Sequence, residues 1–490
     1  MTAPAAATSS NRPPDIDARI REEALFGRLP LLRGEREYST RGILATGFSY
    51  AVAAWCFLIG GYAANYVGAI QGVVALVAGS VAGVTMSSAA AALACNRYGL
   101  EQIDYAKTGF GQNGAKLVLV FYVVNQIGWT GMILVMFARG LMNTAKTFGF
   151  DGGENLVRIA VLAGLVICYL VVIKGVHVLN VFNSIITPGL VIACIFLFWS
   201  IFKDGGYDKV IAAAPIAPTG DGPLDAVIAF EMGLGAGFSW WPGIGFLTRN
   251  TDTQRNSLYP QILTMGLGMG VVCCTGLLAG LLFRDGDPTV WLPLVGGRVF
   301  GTAALLLLAI ANISAGAIMM YTGALGLRHI RALHKVKWRT LALLTFIPMV
   351  PFVLAPTTIY EKGSSFLTYN ATMFAPIAGI LLVDYFLLRK QRVNVSQIFE
   401  DSTQGHYRFL GGFNVVAVGC ILLGQLLYVW LLNPVSYEPH GPVRLVTASG
   451  PAVLIPMLVY WLVSKVWLIP KGIGGYGAPT AAVPVQQPNI

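Results

Sequence analysis

Gln126 and Trp129 lie three residues apart in the apolar stretch NQIGWTGMILVMFARG, a spacing that sets both on one face of a helix. An indole beside a carboxamide suits a flat, polar heterocycle: the ring stacks on the indole, and the amide donates to and accepts from its edge. The same two residues would also serve as an interhelical hydrogen bond beside a packing Trp. Asn312 and Ser314 lie in a second apolar stretch, LLAIANISAGAIMMYTGALGL, among small Ala311, Ala315 and Gly316. Their oxygens suit a hard cation or a bond to a neighbouring helix. Glu231, in AVIAFEMGLGAGFSWWPGIGFL (226–247), is an ionisable group inside an apolar stretch and therefore a functional candidate; it would carry a coupling proton or face a wet vestibule. Asp384 is placed to pair with Arg389 and Lys390, and Arg139 to snorkel from the end of its stretch. Nothing forms a catalytic constellation. GLGAG at 233–237 has neither the preceding strand nor the following Lys of a phosphate loop, and the five His lack metal-pair spacing. The reading is of a protein that is not an enzyme, with no catalytic residue, no organic cofactor and no metal beyond a possible Na+.

The elements that must position these residues are membrane spans. Of 490 residues, 55% are apolar and only 11% charged, against roughly 25% charged in soluble domains. Twelve apolar stretches approach the ~20 residues that a bilayer core requires: 42–68, 70–95, 116–142, 157–174, 179–202, 226–247, 258–283, 299–326, 340–356, 368–388, 411–432 and 448–468. With both ends cytoplasmic, 24 of the 33 Lys and Arg fall on the inner side. The net charge of +10 is thus an orientation signal, and no nucleic-acid partner is needed to explain it. The seven Cys fall in or beside apolar spans and read as packing residues. In span 6, Gly233, Gly235, Gly237 and Pro242 oppose a regular helix, and in span 1 Gly60–Gly61 interrupts SYAVAAWCFLIGGYAANY. Spans five apart cross in opposite directions. Interrupted spans in matching positions of two inverted halves point to a secondary transporter with a site near the bilayer middle.

Several stretches carry a resemblance: GGYAANYVG, NQIGWTGMILVMFARG, GFLTRNTDTQRNSLYPQI, MMYTGALGL and APIAGILLVDYFLLRKQR, in this order along nearly the whole chain. The chain resembles the nucleobase–cation symport-1 family, most closely its purine-cytosine and cytosine permease-like branch. The resemblance implies an all-α polytopic fold with a five-plus-five inverted repeat, shared with sodium–leucine transporters, and two extra helices. The expected layout is a cytoplasmic tail (1–41), a first repeat (42–202), a second repeat (226–388), spans 11–12 (411–468) and a cytoplasmic tail (469–490). It implies substrate contacts at Gln126, Trp129, Gly235, Gly237, Phe238, Ser239 and Trp240, with Asn312 in place of a family Asn. For the cation, Na+ or H+, it implies backbone carbonyls in an unwound part of span 1, about Ala51 to Trp55 (Ala51, Ala54 and Trp55), with Ala311, Ser314 and Ala315 of span 8, and Glu231 as the proton alternative. Ala315 stands where sodium-coupled members carry Thr. The function implied is cation-coupled symport of a nucleobase-like heterocycle across the plasma membrane by alternating access, with a monomer sufficing. Alternatives are a same-fold carrier for a hydantoin, allantoin, a pyrimidine vitamin, an amino acid or an amine, and a channel.

Overall fold

The computed structural model describes residues 29–476 except Glu37, Gly175, Gly296, Arg331, His334 and 401–404, with backbone alone over 176–187 and at 204 and 298. Residues 1–28 of the expected N-terminal tail and the C-terminal tail from 477 lie outside the described residues. Each of the twelve apolar stretches coincides with helix. The helices are α1 (Thr40–Ala51), α2 (Ala54–Ala63), α3 (Ala69–Tyr98), α4 (Gln102–Thr147), α5 (Gly153–Val172), α6 (Val176–Gly205), α7 (Gly222–Phe238) and α8 (Trp241–Arg249). There follow α9 (Gln254–Phe283), α10 (Arg298–Leu327), α11 (Trp338–Leu354), α12 (Gly363–Leu388), α13 (Val415–Leu431) and α14 (Ser449–Leu468). Among the described residues, seven helices are singly long and apolar enough to cross a membrane, with α1 and α2 together making an eighth if the bent pair is one span. The exposed stripe Ile159, Leu162, Val166 and Leu170 on α5 recurs at helical spacing and faces outward, as a lipid-facing surface does.

The helices sort into two packed groups. In one, α3 packs along α7 and α9 along α2; in the other, α10 packs along α4, with α5 beside them. The glycines that read as helix breaks instead permit these close approaches. A Cβ on Gly60 would stand 1.9 Å from the Cys273 carbonyl oxygen, and one on Gly61 equally close to that of Gly286. Gly233 faces the Leu76 carbonyl, and Gly237 the backbone of Gly83 and Val84. Small residues let backbones meet where no hydrophobic force drives helices together.

The third stretch departs most from its expected bounds. Its helix begins at Gln102, ahead of the apolar run, and kinks at Gly111 (φ 81°, ψ 169°). The chain before α13 fills the kink: the Asn414 amide nitrogens donate to the carbonyls of Phe110 (2.9 Å) and Gly109 (2.6 Å). The kink takes such carbonyls out of the helical ladder, and a buried helix cannot cheaply leave them unpaired; the Gly109 carbonyl also accepts from the Tyr460 hydroxyl at 3.4 Å.

Asp384 and Arg139 are each ion-paired. Asp384 accepts from Arg389 Nε (2.7 Å) and from the hydroxyls of Tyr476 (2.8 Å) and Tyr460 (3.1 Å); Lys390 is exposed and takes no part. Arg139 does not snorkel. It donates to Asp287 through Nη2 (2.6 Å) and Nε (3.1 Å) and covers the Tyr360 ring at 4.7 Å. His329, just beyond α10, has a buried side chain with Nε2 3.3 Å from both Glu101 and Asp104.

Candidate functional site

The first span breaks at Val52 and Ala53, within the segment of about Ala51 to Trp55 that the resemblance implied is unwound, and not at its glycines. Val52 (φ −95°, ψ 82°) and extended Ala53 (φ −143°, ψ 159°) separate α1 from α2, which meet at 52°. The Ala51 carbonyl, released from its helix, accepts the Cys56 thiol at 2.9 Å. The sixth span breaks more gently. Ser239 and Trp240 stay in the right-handed helical region, with Trp240 N–H donating to Gly237 at 3.4 Å, and Pro242 restarts the helix in α8. Such an irregular backbone is tolerated at membrane depth only where it is buried in protein or lines a cavity.

Two adjoining cavities lie against these breaks. One is walled by Ser49, Tyr50, Ala53, Trp55 and Trp240, by Leu190 of α6, and by Ala311, Ser314, Ala315, Ile318 and Met319 of α10. The other shares Tyr50, Trp240, Ile318 and Met319, and adds Gln126, Ser239, Gly243, Phe246, Leu247 and Thr322. The α10 residues recur at three- and four-residue steps, so one face of that helix forms the wall. The opposite wall belongs to the broken spans of the other packed group. Aromatic rings dominate it. Tyr50 stacks on Trp240 (centroids 5.8 Å, 11°), Trp55 meets Trp240 edge-on at 5.7 Å, and Trp129 stands behind Trp55 at 5.1 Å, backed by Phe366 at 5.5 Å.

Gln126 reaches the wall from α4, and its amide nitrogen donates to the Thr322 hydroxyl. That hydroxyl is also within 3.0 Å of the Ile318 carbonyl, so the pair holds the carboxamide in one orientation. Every wall residue is uncharged at neutral pH. A cavity so built suits a neutral, flat, polar ring, since an isolated charge buried without a partner is very costly.

The expected site residues fall into two sets. Gln126, Ser239, Trp240, Trp55, Ala311, Ser314 and Ala315 line the joined cavities. Trp129 supports the wall through Trp55. Phe238 is fully buried away from it, Gly235 packs on the Leu367 carbonyl, and Gly237 packs on α3. Ala51 and Ala54 are buried behind Ala53, and Asn312 lies one residue round α10 from the wall, its Oδ1 without a partner among the described residues. Glu231 is elsewhere. Its Oε1 accepts the N–H groups of Ala448 (2.9 Å) and Ser449 (2.8 Å), and its Oε2 accepts the hydroxyls of Ser449 (2.5 Å) and Tyr428 (3.1 Å). It therefore caps the start of α14 and ties it to α13. A carboxylate suits a helix N-terminus, which accounts for an ionisable residue at this depth without any cation.

Sequence reasoning missed Tyr50 and Thr322. Thr322 lies eight residues beyond Ser314 and eleven beyond Ala311, on the same helical face. Tyr50 is an aromatic two residues before the break, but the break itself carries no Gly or Pro to mark it.

A family model described as "Permease for cytosine/purines, uracil, thiamine, allantoin" matches residues 33–462. The chain belongs to this permease family. Relatives of this nucleobase–cation symport-1 group include the purine-uracil permease NCS1 of Arabidopsis thaliana, 23% identical over 401 residues. That match covers 75% of the chain and 65% of the plant protein, under two thirds of the latter's length. The cytosine permease of Escherichia coli K12 is 22% identical over 346 residues, 67% of the chain and 76% of the permease. Among solved structures, Mhp1, described as a nucleobase-cation-symport-1 family transporter in a closed conformation with bromovinylhydantoin bound, superposes with a TM-score of 0.73. It is 17% identical and aligns over 90% of this chain and 95% of its own. The chain thus has the all-helical fold of that transporter and is a multi-pass integral membrane protein. Its relatives are permeases, not enzymes.

Proposed function

We propose that this chain imports a neutral nucleobase-like heterocycle by cation-coupled symport, with alternating access between its two packed groups. The observation that carries this is the uncharged, aromatic wall at the paired breaks, with Gln126 held by Thr322. The ring lies against Trp240 and Tyr50, and Gln126 reads its polar edge. The family match and the printed substrates of relatives (purines, uracil, cytosine, a hydantoin) support the class. An amine or amino acid is disfavoured, since the wall offers no counter-charge.

Na+ is the favoured coupling ion. Ser314 faces the break in the first span across the first of the two cavities, where hydroxyl and carbonyl oxygens suit a hard cation. Glu231 is engaged by four donors on α13 and at the start of α14 instead. Ion binding to one state of the broken span would raise substrate affinity by selecting that state. Twelve crossings in a five-plus-five repeat plus two, cytoplasmic termini, a plasma-membrane location and a functional monomer complete the proposal. The Lys and Arg distribution supports that orientation.

The test is radiolabelled uptake into cells lacking nucleobase permeases, with cytosine, uracil, hypoxanthine, allantoin, hydantoins and pyrimidine vitamins as competitors. Na+ and pH are varied separately. Uptake that needs Na+ and is competed by neutral heterocycles is expected. Uptake indifferent to all of these, or competed only by charged amines or amino acids, would refute the proposal.

A further inference from the structure

A third cavity lies outside the transport path. It is an open groove of about 570 Å³ between α1, α3 and the start of α9, with Thr40, Leu44, Val81 and Leu267 among its walls. Over Ile262–Gly268, α9 is a π-helix, whose wider turn displaces the register beside the groove. Tyr259, Leu263 and Leu267 are exposed along it.

Its polar content is concentrated at one end. Arg255 is exposed there and makes no hydrogen bond or ion pair with any described residue; Arg41, next to Thr40, is likewise exposed and unpaired. The nearby anion, Asp252, is already engaged, accepting from Thr253 N–H (2.7 Å) and the Asn256 side-chain amide (2.8 Å). From Arg255 to Leu267 the helix rises about 18 Å, close to the roughly 15 Å depth of one leaflet's hydrocarbon. The distribution of Lys and Arg places the charged end on the cytoplasmic side, where anionic lipids attract basic residues.

We propose that this groove binds an anionic phospholipid, with its phosphate on Arg255 and an acyl chain along Leu263 and Leu267. Neither neutral lipid nor a soluble anion satisfies both ends. One wall is α1, the inner half of the broken first span, so the bound lipid sits on the seam between that half-helix and α9.

The experiment is native mass spectrometry of the purified full chain offered phosphatidylglycerol or phosphatidylcholine with identical acyl chains. Wild type is expected to retain one phosphatidylglycerol in preference to phosphatidylcholine. Arg255→Gln should lower that retention roughly fivefold, the factor equivalent to about 1 kcal/mol for one basic residue at an anionic surface. Arg255→Lys should preserve it, and Leu263→Trp should lower it by filling the groove. Equal retention of both lipids, or of phosphatidylglycerol by wild type and Arg255→Gln, overturns the proposal. So does displacement of the lipid by glycerol 3-phosphate, which has no chain to fill the groove, or crosslinking of residue 263 to the chain's own 1–28 segment.

Discussion

The Gln126 carboxamide is positioned by one hydroxyl, that of Thr322. Thr322→Val keeps the shape and removes the acceptor, leaving a buried amide unpartnered at about 1–3 kcal/mol. Uptake KM should rise at least several-fold in Thr322→Val and about tenfold in Gln126→Ala, with the competitor profile altered in both. Competition profiles unchanged from wild type would show that neither residue reads the substrate. Trp129 acts through Trp55, so Trp129→Phe should be milder than Trp240→Ala, whose ring is itself on the wall. Glu231 belongs to a different calculation. Glu231→Leu strips α14 of a charged acceptor for four donors, and bonds to charged groups contribute about 1.5–3 kcal/mol each. A clear drop in thermal stability is expected, with Glu231→Gln milder. Glu231→Gln should leave the Na+ and pH dependence of uptake unaltered, and loss of pH dependence in that variant would return it to the coupling site.

Helices and their contacts set how much of this could be read in advance. Twelve apolar stretches that coincide with helix were legible because lipid imposes length and hydropathy on a crossing. The early start of α4 was not, because its first turns carry Gln102, Asp104 and Lys107, buried against other protein rather than lipid. Glycine is ambiguous in sequence: it marks a break or a close approach. Here Gly60 and Gly61 mark approach, while the real break at Val52–Ala53 is made by two ordinary apolar residues whose helix is interrupted by tertiary packing. Gly60→Val should therefore abolish folded protein, since its Cβ meets backbone atoms of α9 that cannot swing away; well-folded protein from this variant would contradict the packing. Likewise Ser239, Trp240 and Gln126 were legible from type and spacing, whereas the partners of Glu231 lie about two hundred residues away. At the mouth of α7, Asp221 caps the helix by accepting Leu224 N–H (3.2 Å) and pairs with Arg444 (2.5 Å). The Arg444 bond, then the cap, hold its carboxyl below the ordinary value of 3.8. Stabilisation from this lowering exists above the ordinary value and is lost as pH falls through the lowered one. The stability gap between wild type and Arg444→Gln should thus be full near pH 6 and shrink below about pH 4; a gap of constant size would exclude the pair as its source.

At the scale of the whole molecule, the cavities lie where two packed groups meet, each contributing one wall. A ligand there binds only the arrangement that brings both walls together, so it should raise the melting temperature with a logarithmic dependence on its concentration. Thermal shift across the competitor panel would rank substrates without a transport assay, and a substrate of confirmed uptake that left the melting temperature unchanged would argue against this location. The Glu231 cap also bears on how the chain could be shortened. In the proposed layout the last two helices are an appendix to a repeated core, which invites a trimmed version. Yet α13 and α14 supply every donor that the structure places on a carboxylate inside the core. Cutting the chain before α13 would bare that charge, so trimming should succeed only in company with an apolar replacement at position 231. The appendix is, in this sense, half of an interdependent pair.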